Sequence, residues 1–232
     1  MSDGYDRCQF TIEDERMTAA SEFSLTGLFG GTQADLPGLQ PNILTVCTGN
    51  ICRSPLAETV LATRLADLDI RVHSAGTQAL VGHGMPRDAR RLAERNDVTP
   101  ERAAAHRARQ LSEQLVDDAD LVLAMTAQHS TAALHLAPRR MHRTFTVREF
   151  ARLAATLDDS ALAGIARSSE NPRSRFNALV QAVADQRGVA PRATGDEDVI
   201  DPYRQSAEVY AQSEAQLIPA LAQVERVVRM AL

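Results

Sequence analysis

Apolar and polar positions change period sharply along this chain. The run Ile43-Leu44-Thr45-Val46 leads directly into Cys47 and a glycine-containing loop. Beyond Pro55, Leu56, Val60, Leu61, Leu65 and Leu68 recur at helical spacing. This pattern predicts a strand, a loop and a helix, with Ser54 as N-cap and Pro55 at the first helical position, where a missing N–H costs nothing. Ile70-Arg71-Val72-His73 reads as a second strand that ends in Ser74-Ala75-Gly76-Thr77. A helix is expected over residues 87–94, entered through the Gly82-His83-Gly84 turn. Residues 120–125 form the clearest buried strand and 144–147 a weaker fourth. Residues 162–168 and 176–186 read as helices and 188–195, with Pro191, as loop. In the last segment Leu217, Leu221, Val224 and Val228 make an apolar stripe behind Ser206, a capping candidate; Pro219 falls inside it and should kink or interrupt the helix.

Strands alternating with helices imply an α/β three-layer sandwich, a central four-stranded parallel sheet with helices on both faces. Ligands of such sheets sit at the carboxyl ends of the strands, where the Cys47 loop falls. The loop also opens a helix, so free backbone N–H groups and the positive end of a helix dipole face its concave side, and a tetrahedral oxyanion fits there. A cysteine at that mouth should have its thiolate stabilised. Arg53, six positions on, has the planar fork that binds two phosphate oxygens at once.

The segment Cys47-Thr48-Gly49-Asn50-Ile51-Cys52-Arg53-Ser54-Pro55, a Cys-x5-Arg-Ser pattern, resembles the signature of the low-molecular-weight protein tyrosine phosphatases. Asp201-Pro202-Tyr203 before a final amphipathic helix resembles that family's second signature. The resemblance implies a phosphatase acting on phosphotyrosine in proteins through a phosphocysteine. Cys47 would be the nucleophile, Arg53 the phosphate clamp and Asp201 the general acid and base. Thr48, Gly49, Asn50, Ile51, Cys52 and Ser54 would form the loop around the phosphate, Tyr203 would wall the pocket, and Ser74 would brace Asn50. Cys52 reads as a small buried residue; resemblance adds that it would trap Cys47 as a reversible disulfide under oxidation. His106, in a further family landmark, is assigned to scaffolding. Asp158, Asp196 and Asp198 are rival carboxylates. No cofactor or metal is implied; a tyrosine kinase controlling capsule or exopolysaccharide export is one family-level expectation for the partner, and a role as a secreted effector is another.

Other readings remain open at this point. Cys47 and Cys52 would serve a structural metal site poorly, because no second cysteine pair exists and His73 gives an irregular spacing. Arsenate reduction on the same fold normally needs downstream cysteines, and none follows Cys52. For a protein-arginine phosphatase, a close relative, the resemblance suggests threonine where Ile51 stands. A phosphate-binding module without turnover would need neither nucleophile nor acid.

Composition adjusts this picture little. The 232 residues, 44% hydrophobic, suit a globular protein, and no apolar run approaches membrane-spanning length. A formal net charge of -5 argues against nucleic acid as a partner. Every basic residue is arginine, which reads as genome bias. Three cysteines without a framework pattern, and no apparent secretory signal, suit a cytoplasmic protein. Residues 1–40, with Cys8 and a short amphipathic candidate at Phe23, Leu25, Leu28 and Phe29, read as an irregular extension. A phosphatase-like domain is expected over 41–232, with an inserted segment at about 158–195 of passive, lid or partner-binding role.

Overall fold

The computed structural model describes residues 40–167, 170–191 and 193–232, all within a compact unit, Leu36–Leu232. The expectations for residues 1–39 lie outside the described residues. In chain order the elements are β1 (Asn42–Cys47), α1 (Arg53–Arg64), β2 (Arg71–Gly76), α2 (Arg87–Arg95), α3 (Pro100–Ala105) and α4 (Glu113–Asp118). There follow β3 (Leu121–Ala124), α5 (Ala127–Leu136), a 3-10 turn (Pro138–Arg143), β4 (Thr144–Thr146), α6 (Val147–Ala154), α7 (Asp159–Ala166), α8 (Pro172–Asp185) and α9 (Ala207–Ala231).

The four strands form one parallel sheet in the order β2-β1-β3-β4. Strand periodicity sends alternate residues of β1 and β3 into two separate cores. Ile43, Leu121, Leu123 and Phe145 face the larger one, filled from α1, α2, α6, α7, α8 and α9. Leu44, Val46, Ala75 and Val122 face the smaller one, closed by Val116 of α4 and Ala133 of α5. Both faces are therefore covered, which is why these strands read as unbroken apolar runs. Within the larger core Phe145 and Phe150 meet edge to face at 5.3 Å, placing α6 on β4. The sheet order reverses at β1, since the chain goes to β2 on one side and to β3 on the other. The carboxyl end of β1 is thus the switch point of the sheet, and Cys47 is its last residue.

Strand β2 ends within the expected Ser74-Ala75-Gly76 segment, where these residues pair with Thr45, Val46 and Cys47. Two local expectations are corrected. Helix α1 begins at Arg53, with Cys52 as N-cap and no side-chain cap. Ser54 therefore lies inside the first turn, and its hydroxyl is used elsewhere. Helix α9 is a single element through Pro219. The proline sits on the exposed face, where the carbonyl it leaves free, on exposed Ala215, can reach solvent, while Leu217, Leu221, Val224 and Val228 hold both halves in the core. Ser206 stands at the N-cap of α9 but makes no capping bond.

In the segment of about 158–195, α7 and α8 pack on one another and against α9. Asp158 caps α7 and Asn171 caps α8 through their side chains. Arg173 of α8 reaches the buried Asp120, just before β3, at 2.9 Å. Arg143 reaches the same carboxylate at 3.2 Å, and Asp120 also accepts the Asn42 N–H at 3.0 Å. This anchorage lies at the amino ends of β1 and β3, the end of the sheet opposite Cys47.

Candidate active site

The loop between β1 and α1 is shaped by Asn50, whose φ of 53° is left-handed and better tolerated by asparagine than by most residues. Its side chain holds three partners. Nδ2 donates to Ser54 Oγ at 2.9 Å and to Ser74 Oγ at 2.7 Å, while Oδ1 accepts the Arg109 N–H at 2.9 Å. The Asn50 carbonyl accepts from His106 Nε2 at 2.8 Å, which requires a proton on that nitrogen. Beneath this sits Glu58 of α1, accepting from the Ser74 hydroxyl and lying 3.6 Å from His106 Nδ1. Burial works against its charge, yet His106 and Ser74 hold the Glu58 carboxyl below its ordinary range.

Those donor directions leave the Ser54 proton two acceptors, Cys47 Sγ and the more distant Ala75 carbonyl at 3.5 Å. Because Asn50 donates to Ser54 Oγ, the hydroxyl hydrogen is free to point at Cys47 Sγ, 2.9 Å away. Gly76 is required beneath the loop. A Cβ there would collide with the Thr48 carbonyl oxygen and lie 3.0 Å from the Asn50 nitrogen.

Arg53 is 4% exposed and is held by the loop between α8 and α9. Nη1 donates to the Val199 carbonyl at 3.0 Å and Nη2 to Asp201 Oδ2 at 2.7 Å. Nε is buried and unpaired among the described residues, a donor without an acceptor in a protein interior. The Val199 N–H in turn bonds the Met125 carbonyl at 2.8 Å, tying this loop to the end of β3. Asp201 Oδ1 accepts the Tyr203 N–H at 3.1 Å.

A cavity of about 160 Å³ joins these groups. Cys47, Arg53 and Asp201 lie in it with Thr48, Gly49 and Cys52; Ile51, Leu80 and Tyr203 supply apolar walls, and Gln78 a polar one. Asn50, Ser54 and Ser74 lie beneath rather than in it. The rival carboxylates are engaged elsewhere. Asp158 caps α7, Asp198 accepts the Ala127 N–H at 2.7 Å, and Asp196 accepts the Asp198 N–H at 2.9 Å. Cys52 is buried, 3.7 Å from the Tyr210 hydroxyl, and burial pushes its thiol up to about 12.

Sequence reasoning missed His129, Leu80, Gln78, Glu58 and Tyr210. His129 Nε2 lies 2.8 Å from Thr48 Oγ1 and Nδ1 lies 2.8 Å from Thr126 Oγ1, so a single ring ties the loop to the start of α5. Burial, then the positive charge of Arg53, lowers His129 to about 4, with Asp201 opposing. The only cue in the sequence was a histidine shortly after the clearest strand. Leu80 and Gln78 carried none, because their place depends on how the β2–α2 connection folds back.

A thiol, a buried guanidinium and a carboxylate thus meet around a helix-opening loop at the switch point of a parallel sheet. The family model of low molecular weight phosphotyrosine protein phosphatases matches residues 42–183, and the chain belongs to that family. The match ends before Asp201.

Among relatives, the low molecular weight protein-tyrosine-phosphatase Etp of Escherichia coli is 38% identical over 103 residues, 44% of this chain and 66% of Etp. A protein-arginine-phosphatase of Geobacillus stearothermophilus is 36% identical over 108 residues, 47% of this chain and 70% of the relative. The chain thus spans about two thirds of the length of the curated relatives it matches. Among solved structures, Vibrio vulnificus Wzb in complex with benzylphosphonate superposes with a TM-score of 0.55 at 26% identity, covering 80% of this chain and 97% of that one. No helix among the described residues is long and apolar enough to cross a membrane.

Proposed function

We propose that this chain hydrolyses phosphotyrosine in proteins through a phosphocysteine on Cys47. The Cys47 sulfur attacks phosphorus, forming the S–P bond as the P–O bond to the tyrosine breaks. The departing electron pair stays on the phenolic oxygen, which takes a proton from Asp201. A water oxygen then attacks phosphorus and gives a proton to Asp201. The S–P electron pair returns to sulfur, where the Ser54 hydroxyl receives it with a hydrogen bond.

Loop N–H groups from Thr48 to Ser54 and the Arg53 fork stabilise the equatorial oxygens. The observation that carries this reading is Arg53 itself. Its buried Nε–H lacks an acceptor that a phosphate oxygen would supply, and its Nη2 now holds Asp201. A dianionic phosphate draws the guanidinium to itself and frees Asp201 to carry the proton. These groups supply the positive field without a metal. A cytoplasmic setting and a bacterial tyrosine kinase as substrate accord with this reading.

Phosphoarginine is the rival substrate, raised by the likeness to the Geobacillus enzyme. Ile51 opposes it. Buried in the pocket wall with Leu80 and Tyr203 beside it, its side chain offers a phenyl ring apolar contact and a guanidinium no acceptor.

Hydrolysis of an aryl phosphate and of phosphoarginine, in chelator, by the wild type, Cys47→Ser and Asp201→Ala tests this directly. Aryl phosphate turnover should vanish in Cys47→Ser and slow by about a hundredfold in Asp201→Ala, the ordinary range for a general acid. Turnover of phosphoarginine alone would overturn the substrate assignment.

A further inference from the structure

A larger cavity, of about 490 Å³, lies between α1, β2 and α3 and shares no residue with the pocket of Cys47. Three arginines converge on it: Arg102 of α3, and Arg107 and Arg109 of the following segment. Arg102 makes no side-chain hydrogen bond or ion pair among the described residues. Arg107 uses Nη1 on the Ala104 and His106 carbonyls, each at 2.7 Å. Arg109 uses Nε on the Ser74 carbonyl at 2.6 Å. The acid among the lining residues, Glu58, is already engaged by Ser74 and His106. Three arginines therefore line a groove with one carboxylate, Glu58, whose Oε2 is engaged by Ser74 and His106. Ala62, Val72 and Ala105 give it an apolar wall for a short carbon skeleton, and its size suits a small molecule.

The groove floor is also the underside of the phosphate loop. Arg109 holds Ser74 through Nε and Asn50 through its backbone N–H. Asn50 in turn holds Ser54, whose hydroxyl faces Cys47 Sγ.

We propose that this groove is a second ligand site, for a small polyanion bearing carboxylate or phosphate groups, and that its occupation slows turnover at Cys47 by drawing Arg109 away from Ser74. Arginine forks pair with either group in two-pronged fashion, and separate forks favour a ligand with more than one charged end. The effect on turnover rests on the phosphatase reading above, whereas the binding does not.

Calorimetric titration of the full chain with citrate, and separately with fructose bisphosphate, reads the binding. Aryl phosphate kinetics at saturating probe read the coupling. We expect one-site binding by at least one probe, weakened about tenfold or more in Arg102→Ala/Arg107→Ala, as loss of charge-assisted bonds predicts. The change of sign in Arg102→Glu, at an exposed position, should weaken it further. With bound probe, kcat should fall about fivefold, at the low end of ordinary coupling between sites, while KM stays constant. A response to citrate alone, to the bisphosphate alone or to both supports the site and tells which anionic group it takes. Failure of both probes to bind, or equal binding by the arginine variants, overturns it. Binding with kcat unchanged, or with only KM raised, overturns the coupling.

Discussion

Asn50 shows how one side chain sets the geometry of a loop. Its left-handed backbone would strain most residues, and three hydrogen bonds hold it there. His129 acts from the other side through Thr48. His129→Ala should leave the sheet folded yet lower kcat about tenfold, since misplaced loop donors cost rate well before they cost binding. Steady-state kinetics would show this as a loss in kcat larger than the rise in KM.

The same ring, with His73, makes stability depend on pH. His73 is 4% exposed with neither ring nitrogen bonded among the described residues; burial, then Arg109 and Arg71, lowers it to about 4, and Glu58 opposes. Both rings are therefore harder to protonate in the folded chain than their ordinary value of 6.5. Between 6.5 and about 4 the unfolded chain binds more protons, so their contribution is complete above that window and is lost as pH falls through it. Urea unfolding across this range should show the decline. His73→Leu, which removes a buried unpaired polar group, should make the slope shallower.

At the scale of elements, helices α7 and α8 meet the rest of the chain through charge as well as apolar contact. Asp120, 1% exposed, accepts from Arg143 and from Arg173 of α8. Arg173→Ala leaves that carboxylate with fewer donors and should cost about 1–3 kcal/mol of unfolding free energy. Because the triad lies at the amino ends of the strands, kcat should hold within about twofold, as expected for distant, independent sites. Chemical denaturation and aryl phosphate kinetics on one preparation would check both. The same elements show where local patterns mislead. Ser54-Pro55 has the composition of a helix start, yet α1 begins at Arg53, because Asn50 and Cys47 claim the Ser54 hydroxyl. Pro219 looks like a break, and a buried stripe on both sides carries α9 across it.

For the molecule as a whole, the proposed oxyanion site should be linked to folding. The loop, Arg53 and the segment from Val199 to Asp201 come from distant parts of the chain and meet only in the native state, so an anion that binds them stabilises the fold. Inorganic phosphate at about a hundredfold its Kd should add about 2.7 kcal/mol and raise the melting temperature, an increment largely lost in Arg53→Ala. Much of this arrangement was legible beforehand. Apolar runs and helical periods determined the parallel sheet and its two covers, and the residues around Cys47 determined the strand, loop and helix that place it, because both rest on short-range order in the chain. Likeness to the Asp-Pro-Tyr signature had already favoured Asp201 over Asp158, Asp196 and Asp198; only the tertiary structure decided that it reaches Arg53, that His129 ties Thr48, and that Glu58 and Arg109 brace the loop from beneath. The physical reason is that these contacts join segments tens of residues apart, and no local period or spacing records which distant side chain the folded sheet will bring within hydrogen-bonding distance.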